Sequence, residues 1–178
     1  MSTAGRISDG ESFFGPVECI GPQDDKANWT ERFRGRMRGV EKKFEIIEHP
    51  ADVGFIAYGE TLNELLENAA LAMMSLAGEL DGIEERERRE IRASGADNEA
   101  LLFDWLAEIL AVADADGLAL RRAEVTRVSE GAAQGVVYGE KFDKARHRAG
   151  TYIKAVTYHQ LSVKKTEEGW KATVYLDV

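Results

Sequence analysis

Apolar positions recur at helical spacing in two places along the chain. In "TLNELLENAALAMMSLAG", residues 61–78, Leu62, Leu65, Leu66, Ala69, Met73 and Leu76 fall on one face. Thr61 precedes the run and Glu64 follows three residues on, the spacing of a capping box. Gly78 is placed to end it. Over residues 97–116, Leu101, Leu102, Trp105, Leu106, Ile109, Leu110 and Ala113 repeat in the same way. Asp97 is the expected N-cap there and Gly117 the stop. Both stretches are predicted to be helices, with Trp105 and the pair Met73 and Met74 in the core.

The other apolar runs are strand-like. Residues 43–48 and 53–58 read as two strands before the first helix. Residues 118–129 and 133–139 read as two more, parted by a turn at "SEGAA". "YIKAVTYHQLSV", residues 152–163, is dense in Val, Ile, Thr and Tyr, which suits a strand. "TEEG", 166–169, reads as a hairpin turn. In 170–178, strict alternation puts Trp170, Ala172, Val174, Leu176 and Val178 on one face, and Lys171, Thr173, Tyr175 and Asp177 on the other. One stretch stays open. "IEERERREIRA", 83–93, sets charges between two isoleucines and admits either an exposed strand or a short helix. The order of elements predicts an α+β fold, two helices packed on a mostly antiparallel or mixed β-sheet. No internal repeat is visible.

Residues 1–42 differ from the rest. The first 36 hold Gly5, Gly10, Gly15, Gly21 and Gly35 and two of the three prolines, without a sustained apolar period. The whole of 1–42 is expected to form a flexible N-terminal extension, leaving 43–178 as the folded domain. Met37, just before the first strand-like run, offers an alternative start that would leave 1–36 outside the physiological chain. The net charge of the whole chain is −9, and residues 1–36 carry five basic and six acidic side chains, so the acidity belongs to the domain.

That charge argues against a protein whose main task is to coat nucleic acid, which needs clustered Lys and Arg. It suits a binder of divalent cations or of a basic partner. No run reaches the ~20 apolar residues of a membrane span, and no secretory signal is visible. With a lone cysteine, Cys19, no internal disulfide can form, so a cytoplasmic location is expected.

Candidate chemistry is sparse. There is no G-x-S-x-G, no phosphate-binding loop and no dinucleotide fingerprint. Asp52 lies between two strand-like runs although Asp disfavours strands. Asp177 and Val178 end the last strand. Two such Asp carboxylates that converged, with a main-chain oxygen, would offer hard-oxygen ligands for Ca²⁺ or Mg²⁺. On spacing alone, Asp52 as a turn residue and Asp177 as a solvated charge is the plainer reading; both stay open at this point. His49, before Pro50, is a ligand, a general base or a hydrogen-bonded loop residue. Asp143 and His147, four apart in "GEKFDKARHRAG", fit one side of a helical turn, either in a solvated loop or at a partner or active-site contact. His159 shares a strand face with Ile153, Ala155, Leu161 and Val163, which predicts a core histidine.

Three stretches together carry a resemblance. "HPADVGFIAYGETLNELLENAALAM", "GEKFDKARHRAGTYIKAVTYHQLSV" and the terminal "YLDV" resemble the archease family in order and separation, and "NEALLFDWLAEIL" fits as well. Glu48-His49-Pro50 stands where the family usually shows Asp-His-Thr, and residues 1–42 have no counterpart. The resemblance implies an accessory protein and not an enzyme. Archeases activate the RtcB-type RNA ligase of tRNA splicing and RNA repair, promoting its guanylylation and multiple turnover. It also implies a divalent-metal site of Asp52, Asp177 and Val178, with Ca²⁺ or a Mg²⁺-like ion. GTP is then used by the ligase, RNA is reached only through it, and no membrane is involved. His49, Asp143, His147 and Lys154 are candidate contacts to the partner or site. An independent metal-dependent hydrolase and a chaperone-like binding module are the alternative readings.

Overall fold

In the computed structural model, which describes residues 42–48 and 53–178, the first helix runs from Leu62 to Ala77 (α1). Thr61 Oγ1 accepts the Glu64 N–H at 3.2 Å. The Glu64 carboxylate reaches back to the Glu60 N–H at 2.9 Å, one residue outside the usual capping box. The second helix is Asn98–Asp116 (α2). Asp97 Oδ1 accepts the Ala100 N–H at 2.8 Å. Gly117, at φ 57 and ψ 48, closes it in the left-handed conformation that glycine adopts most readily.

Seven strands accompany them among the described residues: β1 (Phe44–Glu48), β2 (Val53–Gly59), β3 (Glu87–Ser94), β4 (Leu118–Ser129), β5 (Ala132–Lys141), β6 (Ala155–Thr166) and β7 (Gly169–Asp177). The undecided segment of alternating charge is thus the strand β3. Only Ile91 and Ala93 of it are buried, which is why its pattern read so weakly. The strands form two antiparallel sheets, in the orders β1-β2-β7-β6 and β3-β5-β4. The expected α+β class with antiparallel pairing holds; the division into two sheets was not legible in the pattern. Helix α1 packs mainly on β2 and β4 and α2 on β3 and β6, so each helix bridges both sheets.

The core lies where these layers meet. Leu65, Leu66, Ala69 and Met73 of α1 and Leu101, Leu102, Trp105, Leu106 and Ile109 of α2 are buried against Phe55, Ala57, Ala172, Val174 and Leu176. The Trp105 indole N–H donates to Leu66 O at 3.1 Å, so even the polar atom of this ring is satisfied inside the core. Helix carboxylates also serve the edge strands. Glu67 accepts the Val125 N–H at 2.7 Å, Glu99 the Val163 N–H at 3.1 Å and Asp104 the Ser94 N–H at 2.7 Å. These are donors that a sheet edge leaves without a ladder partner.

His159 departs from the sequence reading. β6 begins at Ala155, and its register against β7 shifts between Thr157↔Tyr175 and Ser162↔Thr173. Five steps along β6 thus match two along β7, and three extra residues invert the alternation. Val156 and Val163 are both buried, while Ala155 and His159 are exposed. The imidazole meets the Tyr175 ring edge-on, with centroids 6.0 Å apart, instead of entering the core.

Candidate functional site

The described part of the expected metal site lies at one end of the four-stranded sheet. β7 runs between β2 and β6, with Val53 opposite Leu176 and Ala155 opposite Asp177. Asp177 is exposed, and Val178 is 36% exposed. Alternation along β7 buries Ala172, Val174 and Leu176 and turns Asp177 to solvent, as the sequence predicted. Asp52 and His49 lie outside the described residues. In the chain, Asp52 directly precedes Val53, whose strand partner Leu176 directly precedes Asp177.

Lys154 joins this end directly. Its N–H donates to Asp177 O at 2.8 Å, and its ammonium donates to Val178 O at 2.9 Å. The Val178 carbonyl therefore already accepts a cation. The exposed Asp177 carboxylate beside it is the other hard-oxygen donor that Ca²⁺ or Mg²⁺ would take. By donor chemistry these residues fit such an ion. Among the described residues, no three His, Cys, Asp or Glu side chains converge as a metal cluster.

Asp143 and His147 bond elsewhere. The His147 N–H donates to Asp143 O at 2.8 Å, so the helical turn expected from their spacing is present. His147 is 7% exposed and hence not part of a solvated loop. Its Nε2 lies 3.1 Å from Glu140 Oε1, and its Nδ1 accepts the Asp143 N–H at 3.0 Å. Asp143 is exposed, and its carboxylate accepts the Ala145 N–H at 2.8 Å. Of the candidate contacts among the described residues, Lys154 alone bonds to the Asp177–Val178 end.

Glu140 is the residue that sequence reasoning missed. It is 3% exposed, in a strand whose polar face gave no sign of burial. Its partners Glu84 and Arg86 are more than fifty residues away in sequence, so no local spacing could reveal the cluster. Arg146 grips both carboxylate oxygens, at 2.8 and 3.2 Å. That grip is the largest cause of a carboxyl pKa held down at about 2 from an ordinary 4.5; the Glu84 N–H and His147 add to it, against the opposing effect of burial. A folded-state value below the unfolded one means that ionised Glu140 stabilises the fold above its ordinary pKa, and that this contribution is lost as pH falls through the folded value. The stability difference between the wild type and Glu140→Gln is therefore expected to be flat near neutrality and to shrink between about pH 5 and pH 2. Denaturant titrations across that range check it; a difference independent of pH would refute the assignment.

No helix among the described residues is long and apolar enough to cross a membrane. The sequence model of the archease protein family matches residues 44–178. Protein archease of Methanosarcina mazei is 40% identical over 146 residues, covering 80% of this chain and all of that protein. Its counterpart from Pyrococcus abyssi is 35% identical over 141 residues, 77% of this chain and 99% of its own. Among solved structures, Methanobacterium thermoautotrophicum protein 1598 superposes with a TM-score of 0.66 at 32% identity, over 76% of this chain and 99% of that one. A Thermotoga maritima archease, described as a possible chaperone, shares the fold at a TM-score of 0.55 and 24% identity, over 80% of this chain and all of its own.

Proposed function

The chain belongs to the archease family, and from that premise we propose that it is an accessory protein that activates an RtcB-type RNA ligase. In this reading it is not a catalyst on its own. It promotes formation and renewal of the guanylylated ligase, so that the ligase turns over many times on broken RNA ends, tRNA halves included. GTP is bound by the ligase, and RNA is reached only through it.

The observation that carries the reading is the end of β7. There, Val178 O accepts the Lys154 ammonium, and the Asp177 carboxylate stands exposed beside it. We assign Asp177, Val178 and Asp52 to a divalent-ion site, with Ca²⁺ or a Mg²⁺-like ion as occupant. Such an ion would supply charge compensation to a phosphate group and a template for its placement. The protein's own part is simpler. Asp177 presents a carboxylate at an exposed sheet end, where a partner can approach. Lys154 holds the Val178 carbonyl in place and offers a second cationic group to an anionic ligand. His49 is assigned as a further contact from the same segment as Asp52.

The direct test is the rate at which the cognate ligase acquires labelled GMP from GTP. Addition of this protein is expected to raise that rate, while the protein alone binds no label and hydrolyses no GTP. Equal rates with and without it would refute the proposal. GTP hydrolysis by the pure protein would favour the hydrolase reading instead.

A further inference from the structure

Residues 142–154 connect β5 to β6 and deliver Lys154 to the Asp177–Val178 end. We infer that Glu140 and His147 are positioning residues for that end: they fix the path of this connection, and so the place of Lys154, without touching it. Several contacts trace the path. The Asp143 N–H donates to His147 Nδ1, which leaves the ring proton on Nε2, and that N–H donates to Glu140 Oε1. The same oxygen accepts the Glu84 N–H at 2.8 Å. Arg146, bound to Glu140, also donates to Gly82 O at 3.3 Å and to Glu84 Oε1 at 3.4 Å. One buried carboxylate thus ties the end of β5, the segment before β3 and the start of the connection together.

The rest of the connection is held on the C-terminal end of α1 and on Glu79 just beyond it. The Glu79 N–H donates to Arg148 O at 3.1 Å. The Gly150 and Thr151 N–H groups donate to Ala77 O and Leu76 O, both at 2.8 Å, satisfying carbonyls that a helix end leaves open. A Cβ on Gly150 would lie 2.4 Å from Leu76 O, so the backbone approach itself requires glycine. Ile153 is buried, and Lys154 follows with its two bonds to Asp177 and Val178. Between the His147 ring and the Lys154 ammonium, the chain is therefore anchored at nearly every step. The ring, with Arg146 just before it, fixes on Glu140 the point from which this run starts. Without it, the start of this run is no longer fixed, and the bonds that follow on α1 share the displacement as far as Lys154.

The importance given to that end rests on the function proposed above, but the test does not, since no ligase is present. It uses the full chain and residue-resolved hydrogen exchange by NMR. In His147→Ala, the Lys154 amide is expected to exchange about tenfold faster, the scale of one or two lost hydrogen bonds. Its ammonium resonance, held on Val178 O in the wild type, should broaden away. The amides of Val174 and Leu66 should change less than about threefold. His147→Gln, whose side-chain N–H can replace the bond to Glu140, should restore most of the protection. Arg146→Lys, which loosens the grip on Glu140 without opening a cavity, carries the same test if His147→Ala does not fold. An unchanged Lys154 amide and ammonium in a folded variant would overturn the inference. So would equal acceleration everywhere, or loss of the fold in both variants, because the pair would then hold the whole domain and not this end.

Discussion

Asp177→Ala is expected to abolish ligase activation, lowering the multiple-turnover rate by about tenfold to a hundredfold, the range seen when groups around a metal are removed. The fold should be unaffected. Asp177 is exposed, and what β7 needs from it is its backbone: residue 177 pairs with Ala155, and its carbonyl accepts the Lys154 N–H at 2.8 Å. Both survive the loss of the carboxylate. Stability should therefore move by no more than about 0.5 kcal/mol, as for surface changes away from buried features. Asp52→Ala is expected to give the same loss of activation. Turnover assays beside urea unfolding curves separate the outcomes. Full activation by Asp177→Ala would make the carboxylate an ordinary terminal charge. A large loss of stability would show that it holds the sheet.

The largest effect on stability belongs to Trp105. Its ring is fully buried, its N–H is bonded to Leu66 O on the other helix, and it packs over Gly135 of β5. Trp105→Ala should cost about 3–5 kcal/mol, the usual range for removing a buried aromatic. A domain of this size holds only about 5–15 kcal/mol in all, so much of the stability would go. The measurement is the urea midpoint at unchanged slope. A shift worth less than about 1 kcal/mol would mean that the two helices do not depend on this ring. Gly135→Ala approaches the same contact from the strand. Its Cβ would lie 2.6 Å from the indole ring and 2.3 Å from Glu124 O, so combining it with Trp105→Ala relieves only the first clash.

The residues that were legible in sequence are those whose partners are close or whose period is unbroken. Thr61 and Asp97 cap helices through side chains that reach only three residues on, and Gly117 ends α2 by its own backbone. The β7 alternation is strict from Trp170 to Asp177 because no bulge interrupts it. His159 was misread because three extra residues in β6 invert the pattern, and nothing in "TYHQLSV" marks where. β3 was undecided because its exposed face and its edge position leave few apolar residues to count. Glu140 was invisible for a different reason. Its burial depends on Glu84, Arg86 and Arg146, a grouping that exists only once β3 has paired with β5. In the candidate site, the alternation put Asp177 on the face opposite the core, whereas Val178, read as part of the apolar face, is 36% exposed. The link from Lys154 to Val178 needed coordinates, because the two are 24 residues apart.

Activation in the proposed sense converts a ligase that stops into one that continues. It is tested most directly by counting joined RNA ends per molecule of the cognate ligase, with RNA and GTP in excess and this protein at a small fraction of the ligase concentration. The count is expected to stay near one without the protein and to climb far above one with it, and Asp177→Ala to return it to near one. A ligase that reaches the same count in all three reactions would contradict the proposal.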